Sequence, residues 1–316
     1  MPLFDKPLPE LREYRPERTE PADFERFWQE TLAKAETDPL DASFVPYDAG
    51  LSLVDVWDVR FTGFGGHRIA GWFLAPRGTQ GPLPTVVQFL GYQGGRNWPI
   101  DWLVYPAAGY AVLAMDTRGQ GTDTADPDPG ANPQVPGFLT RGLVDRDSYY
   151  YRRVFTDAVR AVDAAQSHPV ADPARIVVAG GSQGGAIAQA VAGLRSDLAA
   201  ALIDVPFLTH FRRAAEMAGE SGYGEIADYL ARRRVPPEDV FSVLDYFDGV
   251  NLAARATAPA RYSVALMDAV CPPSTVFAAF NHYGGTAEID VWPYNGHDGG
   301  AQVQRMRQLR WLADTL

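Results

Sequence analysis

The residues best placed to do chemistry lie between Arg175 and Gly185. A β-rich apolar run, Ile176–Ala179, leads into Gly180-Gly181-Ser182-Gln183-Gly184, and an alanine-rich helical pattern, Ala186–Leu194, follows. A serine on so tight a strand-to-helix turn is forced into a strained backbone conformation and held clear of the sheet as a nucleophile. Gly180 and Gly184 are the neighbours at which a Cβ would collide. The helix starting after Ser182 points its amides at the site and favours developing negative charge. The chemistry implied is acyl transfer through a covalent intermediate. In a chain with 30 glycines the pentapeptide alone is a weak signal. Its place between a strand and a helix gives it weight.

Such a nucleophile needs a base and an acid further along the chain, in the order serine, acid, histidine. Of the five histidines, His210, His282 and His297 follow Ser182. His297 lies in a loop directly after the last predicted strand and before the terminal helix, which returns its imidazole to the sheet edge. His282 sits in an apolar helical pattern, Thr275–Tyr283, and reads as a packed or surface residue. His210 falls in an insertion and could line a pocket. For the acid, Asp204 ends the strand after the nucleophile strand and Asp268 follows the next. Asp298 adjoins His297 too closely to reach its ring easily. Asp268, in a loop before Pro272-Pro273, is the favoured partner, holding the imidazole tautomer without taking the proton. An oxyanion hole requires two backbone amides, assigned to Gln183 and to Tyr92 in the glycine-rich stretch Phe89–Gly95.

Elements that bring these residues together are legible in the apolar patterning. From Pro84 onward, short nearly continuous apolar runs at Thr85–Leu90, Ala111–Met115, Ile176–Ala179, Ala200–Val205, Tyr262–Leu266 and Ile289–Trp292 read as parallel strands covered on both faces. Helical patterns at Tyr149–Ser167, Gln183–Leu194 and Ala301–Leu312 lie among them, predicting a doubly wound α/β sheet. Two earlier β-like stretches, Val54–Phe61 and Ile69–Leu74, flank a turn at Gly63–Gly66 and predict an antiparallel addition at one edge. The first 50 residues read as an accessory segment, with a helix opened by Pro21 and packing Phe24, Phe27, Trp28, Thr31 and Ala35 against the body. Gly119–Asp147 lacks periodicity and is longer than an ordinary connection. Pro206–Pro259, with helical patterns around Phe211–Met217 and Ile226–Arg233, is placed to cap a pocket. Residues 1–316 are read as one domain with these two excursions.

Composition narrows the possibilities. A formal charge of −11 from 28 basic and 39 acidic residues repels phosphate backbones and argues against nucleic acid as a partner. No apolar run spans a bilayer, and Met1–Arg12 lacks the basic start and apolar core of a signal peptide. A single cysteine, Cys271, excludes an intrachain disulfide and a thiolate zinc site. A soluble, cytoplasmic protein is expected, with no membrane partner. The histidine spacing offers no metal-binding cluster, and neither a metal nor an organic cofactor is expected.

Taken together, Arg118-Gly119-Gln120, Gly180–Gly184, the segment Asp268–Ala278 and His297-Asp298 resemble the cephalosporin C deacetylase and acetyl xylan esterase family (carbohydrate esterase family 7) of α/β-hydrolases. The resemblance runs from Pro2 to the terminal helix. One departure is His297-Asp298, where many members carry His-Glu; the position lies outside the triad. The resemblance implies an α/β-hydrolase fold and hydrolysis of small acetyl esters: acetylated xylo-oligosaccharides, sugar acetates and cephalosporin C. It implies Ser182, Asp268 and His297 as triad, the amides of Tyr92 and Gln183 as oxyanion hole, and a homo-oligomer, a ring-like hexamer in this family. It suggests Arg118 and Gln120 as braces behind the nucleophile, with plain salt-bridging an equal alternative for them. Phe207 and Cys271 are candidates for the acyl pocket, and Cys271 equally reads as an inert packed thiol. Two rivals stand beside this reading. One is a serine peptidase of the prolyl-oligopeptidase type, for which no propeller repeat is present; the other is a catalytically silent binding module on the same fold.

Overall fold

A computed structural model describes residues 3–79, 81–128, 137–217, 219 and 222–316. Among these residues nine strands form one sheet: β1 (Ser43–Pro46), β2 (Val54–Thr62), β3 (Arg68–Pro76), β4 (Leu83–Phe89), β5 (Ala111–Met115), β6 (Ala171–Gly181), β7 (Ala200–Asp204), β8 (Ala260–Ala265) and β9 (Ala287–Trp292). Their spatial order is β1-β2-β3-β5-β4-β6-β7-β8-β9. The first three strands are antiparallel and join β5 antiparallel, whereas every pair from β5 to β9 is parallel. This is the α/β-hydrolase arrangement with the expected antiparallel edge. Because β4, β6, β7, β8 and β9 run the same way, the loops that leave them emerge at one edge of the sheet, where α/β folds place their ligands.

The parallel strands are apolar on both faces because helices cover both. One face packs under the helices Tyr150–Ser167 and Gln183–Leu194; the other carries Val112, Val177, Ala179 and Leu202 against Tyr105 of the short helix Val104–Ala107 and Leu312 of the terminal helix Ala301–Thr315. The predicted N-terminal helix spans Phe24–Glu36 and buries Phe24, Phe27, Trp28, Thr31 and Ala35. Its Trp28 ring meets Phe247 edge-on at 5.5 Å and donates from Nε1 to the Tyr246 carbonyl at 2.9 Å. The accessory segment is thereby fastened to the end of the Pro206–Pro259 insertion.

Three features differ from the sequence reading. The short edge strand β1 comes from the first 50 residues. The insertion carries two further helices, Pro237–Leu244 and Gly249–Ala253, beside Phe211–Met217 and Gly224–Arg233. Strand β7 stops at Asp204, because Val205 turns to φ 36°. Within the two irregular segments, residues 129–136, 218, 220 and 221 lie outside the described residues. Among the described residues no helix is long and apolar enough to cross a membrane.

One buried histidine makes stability pH-dependent. The His168 ring lies between Phe44, Trp57 and Phe73, with centroids 4.6, 4.8 and 4.2 Å away, and is 7% exposed. Burial depresses its pKa from 6.5 to about 4. The folded form therefore binds this proton less readily than the unfolded chain between those values. The stability it confers is complete above pH 6.5 and lost as pH falls towards 4. Comparing urea unfolding of wild type and His168→Leu at pH 7 and pH 4.5 is expected to show wild type losing about 2 kcal/mol more than the variant. Equal losses would mean that the ring is not held neutral.

Candidate active site

The nucleophile turn is built by close packing. Ser182 adopts φ 57°, ψ −122° between the end of β6 and the helix Gln183–Leu194. Its N–H donates to the Asp204 carbonyl at 2.9 Å, and its own carbonyl accepts from Phe207 N–H at 3.0 Å. A Cβ on Gly180 would stand 2.2 Å from the carbonyl carbon of Gly184, and one on Gly184 would stand 2.4 Å from the Phe89 carbonyl oxygen. Both glycines are thus fixed by backbone approach, as the motif demands. The neighbouring Gly185, where a Cβ would fall 2.6 Å from the Asp204 carbonyl oxygen, is a third such position.

The sheet edge brings Ser182, Asp268 and His297 together. His297 Nε2 lies 2.9 Å from Ser182 Oγ, and its Nδ1 lies 2.9 Å from Asp268 Oδ2. Asp268 is fully buried, and its Oδ1 accepts from the N–H groups of Val270 at 2.8 Å and Cys271 at 3.0 Å. With the carboxylate so held, Nδ1 carries the proton and Nε2 presents its lone pair to the serine hydroxyl. The alternatives go elsewhere. Asp204 Oδ2 accepts from Gln308 at 2.8 Å, and Asp298 Oδ2 accepts from Asn295 at 2.7 Å. His210 meets the Tyr14 hydroxyl at 2.9 Å, and His282 meets the Pro16 carbonyl at 2.7 Å, so these two rings tie down the N-terminal segment.

Beside Ser182, the amides of Tyr92 and Gln183 have no acceptor among the described residues. Side chains fix the loop that carries the first of them. Gln183 donates from Nε2 to the Leu90 and Gly91 carbonyls at 3.2 and 3.3 Å, while its Oε1 accepts from Tyr151 at 2.8 Å. Gln120 pairs reciprocally with the Gln183 amide and accepts from Gln93 N–H at 2.7 Å. The Tyr92 hydroxyl donates to Glu225 Oε1 at 2.7 Å and accepts from Phe138 N–H. Burial pushes the Glu225 carboxyl and the Tyr92 phenol upward. Tyr151 and Glu225 are supports the sequence reading missed. Tyr151 looks like one more aromatic on a helix, and Glu225 gains its role only because the insertion folds over Tyr92.

The two bracing candidates separate. Gln120 reaches the residue after the nucleophile. Arg118 does not: its fully buried guanidinium grips Asp157 through two bonds of 2.5 and 2.7 Å and donates to the Phe64 carbonyl at 3.2 Å. Its role is the salt-bridging alternative.

A cavity of about 680 Å³ opens beside the triad, walled in part by Tyr92, Ser182, Val270 and His297. Phe207 and Cys271 lie behind the residues that wall this cavity. Phe207 is packed against Tyr223, ring centroids 4.3 Å apart, and tilts beneath Tyr92 at 5.8 Å. Cys271 is buried behind the triad, its sulfur within 4.8 Å of a nitrogen of His297 and an oxygen of Asp268. Burial raises its thiol pKa well above normal, so it stands there as a neutral sulfhydryl.

Comparison with known proteins gives the family. The profile of the family described as "Acetyl xylan esterase (AXE1)" matches residues 1–315. The acetyl xylan esterase from Paenibacillus sp. R4 superposes with a TM-score of 0.95 at 39% identity, covering 98% of this chain and 100% of that one. Acetyl xylan esterase 1 from Thermoanaerobacterium sp. JW/SL YS485 gives 0.91 at 34%, covering 98% and 99%. The acetyl esterase Axe7A of Xylanibacter ruminicola is 28% identical over 313 residues, 96% of this chain and 69% of its own length. A serine, a histidine and a buried carboxylate hydrogen-bonded in series at this sheet edge, on a chain matched from end to end, mark a carboxylic ester hydrolase that belongs to the acetyl xylan esterase family.

Proposed function

We propose that the protein deacetylates small acetyl esters, namely acetylated xylo-oligosaccharides, sugar acetates and the acetyl group of cephalosporin C, by two-step acyl transfer through Ser182. The observation that carries this reading is the continuous chain Asp268–His297–Ser182, with bonds of 2.9 Å on both sides of the imidazole. His297 Nε2 takes the Ser182 proton as Oγ attacks the acetyl carbonyl carbon. The carbonyl electron pair moves onto oxygen, which the Tyr92 and Gln183 amides receive; one preorganised donor of this kind stabilises the transition state by ~3 kcal/mol. Collapse breaks the ester C–O bond, and the imidazolium returns its proton to the departing alcohol. Water then repeats the sequence on the acetyl-enzyme, releasing acetate and restoring the serine. Asp268 stabilises the imidazolium throughout and keeps its charge.

The family resemblance supports extending the reading to a hexameric assembly in the cytoplasm, with the Pro206–Pro259 insertion as a cap. Light scattering on the purified chain reads the assembly directly. The activity is tested by specificity constants for p-nitrophenyl acetate, butyrate and octanoate, beside xylose tetraacetate and cephalosporin C. Preference for acetyl over octanoyl by at least tenfold is expected. An enzyme favouring the long acyl chain would overturn the assignment.

A further inference from the structure

The cavity beside the triad does not end at the sheet edge. It continues as a crevice between the face of the sheet and the first turns of the terminal helix, with Gln88, Tyr105, Asp204, Gln304, Arg305 and Gln308 on its walls. Its chemistry is that of closely spaced hydrogen-bonding groups. Gln308 Nε2 engages Asp204 Oδ2 at 2.8 Å. Gln304 Oε1 accepts from Trp292 Nε1 at 3.2 Å, while Asp204 Oδ1, Gln304 Nε2 and Ser263 Oγ, buried side by side, make no well-aligned hydrogen bond among the described residues. Gln304 is only 1% exposed. The Tyr105 hydroxyl makes no hydrogen bond among the described residues, and the charge of Arg305 acts on Tyr105 and Asp204 without a close ion pair among them. Buried polar groups left unpaired are costly and rare in folded proteins.

Backbone strain falls on the same walls. Ser182, Val205 and Ala301 are non-glycine residues with φ of 57°, 36° and 45°, and all three line this cavity. A β-branched residue with positive φ is a genuine outlier, and such strain collects where a ligand is handled. Val205 follows Asp204, and Ala301 opens the helix that carries Gln304 and Gln308, so the two strained turns set the two walls against each other. Burial also pushes the Asp204 carboxyl up to about 6, as expected of an acid that solvent reaches poorly.

We infer that this crevice is the alcohol subsite: it receives the hydroxyl-bearing leaving group of the ester, with Asp204, Gln304 and Gln308 as the residues that recognise its hydroxyl groups. The inference rests on the proposed acetyl ester hydrolysis and adds where, and by which side chains, the alcohol half is recognised. Amide and carboxylate groups set side by side offer both donors and acceptors to the hydroxyls of a sugar. An apolar alcohol would leave them unpaired.

The test compares wild type, Gln304→Leu and Arg305→Ala on a monoacetylated xyloside and on p-nitrophenyl acetate, whose aromatic alcohol offers no hydroxyls. Free xylobiose serves as an inhibitor of the second reaction. In Gln304→Leu the ratio of kcat/KM, xyloside over p-nitrophenyl ester, is expected to fall about tenfold, and the xylobiose inhibition constant to rise by a similar factor. Arg305→Ala, a substitution at an exposed position, lowers the same ratio about threefold. Gln304→Leu also removes the acceptor of the Trp292 Nε1 bond at 3.2 Å, so its thermal midpoint is expected to fall, but lost stability lowers both reactions alike and leaves the ratio untouched. Arg305→Ala, at an exposed position, keeps the wild-type midpoint. Parallel loss on both substrates or an unchanged ratio would overturn the subsite while leaving the esterase reading intact. A wild-type protein that hydrolyses neither ester would remove both.

Discussion

Ser182→Ala is expected to lower kcat/KM for p-nitrophenyl acetate by about 10⁴-fold or more while leaving the folded state in place. Without Oγ, His297 has no proton to take and no acetyl-enzyme can form. What survives is water attack on an ester positioned by the Tyr92 and Gln183 amides. The structural consequence is small. The hydroxyl bonds to His297 and touches the buried Cys271 thiol, and the backbone bonds that hold the turn, to Asp204 and from Phe207, use main-chain atoms alanine retains. Alanine at φ 57° is as strained as serine, so the thermal midpoint is expected to hold. Ser182→Gly relieves that strain, and should be about 1 kcal/mol more stable than Ser182→Ala in urea unfolding while equally inactive. Equal, slow hydrolysis by wild type and Ser182→Ala would mean that another group performs the chemistry.

How much of this was readable beforehand depended on whether the signal was local. The elbow was legible because Gly180, Ser182 and Gly184 act on one another within five residues. Asp268 and His297 were legible because each sits just past a strand that alternation had already placed. Other features answer to distant partners. Strand β1 is the four residues Ser43–Pro46, which pair only with Trp57–Arg60; nothing in so short a stretch separates an edge strand from coil. His210 and His282 take their roles from Tyr14 and Pro16, 196 and 266 residues away in the chain. Glu225 became a support of the oxyanion loop through Tyr92, 133 residues earlier. The helix Pro237–Leu244 is a different case: a proline at its first position is a local start signal that was present but unused. Asp204, weighed as a triad acid for its strand-end position, turned out to occupy that edge facing the terminal helix, with Gln308 as its partner.

Asp268 offers the second large effect, and the choice of replacement separates its two tasks. In Asp268→Asn the side-chain oxygen can still accept from the Val270 and Cys271 N–H groups, which hold Oδ1 at 2.8 and 3.0 Å. The NH₂ then faces His297 where Oδ2 was, and Nδ1 must accept a hydrogen bond rather than donate one. The imidazole proton is thereby driven to Nε2, which can no longer receive the Ser182 proton. A fall in kcat of about 10⁴-fold is expected, with KM nearly unchanged because the amides that meet the substrate are untouched. Nitrogen-15 NMR of the His297 ring reads the cause directly: the protonated nitrogen moves from Nδ1 in wild type to Nε2 in the variant. Stability should change little. Asp268→Ala reverses that division. It removes the acceptor from two amides that sit beside a fully buried carboxylate, costing about 1–3 kcal/mol for each one left unpaired, and it leaves the imidazole without an imposed tautomer. The alanine variant is therefore expected to unfold at distinctly lower urea concentration than the asparagine variant, although both lose most activity. If the asparagine variant kept wild-type turnover with its ring proton still on Nδ1, the Asp268–His297 bond would be a structural contact and not the device that prepares the base.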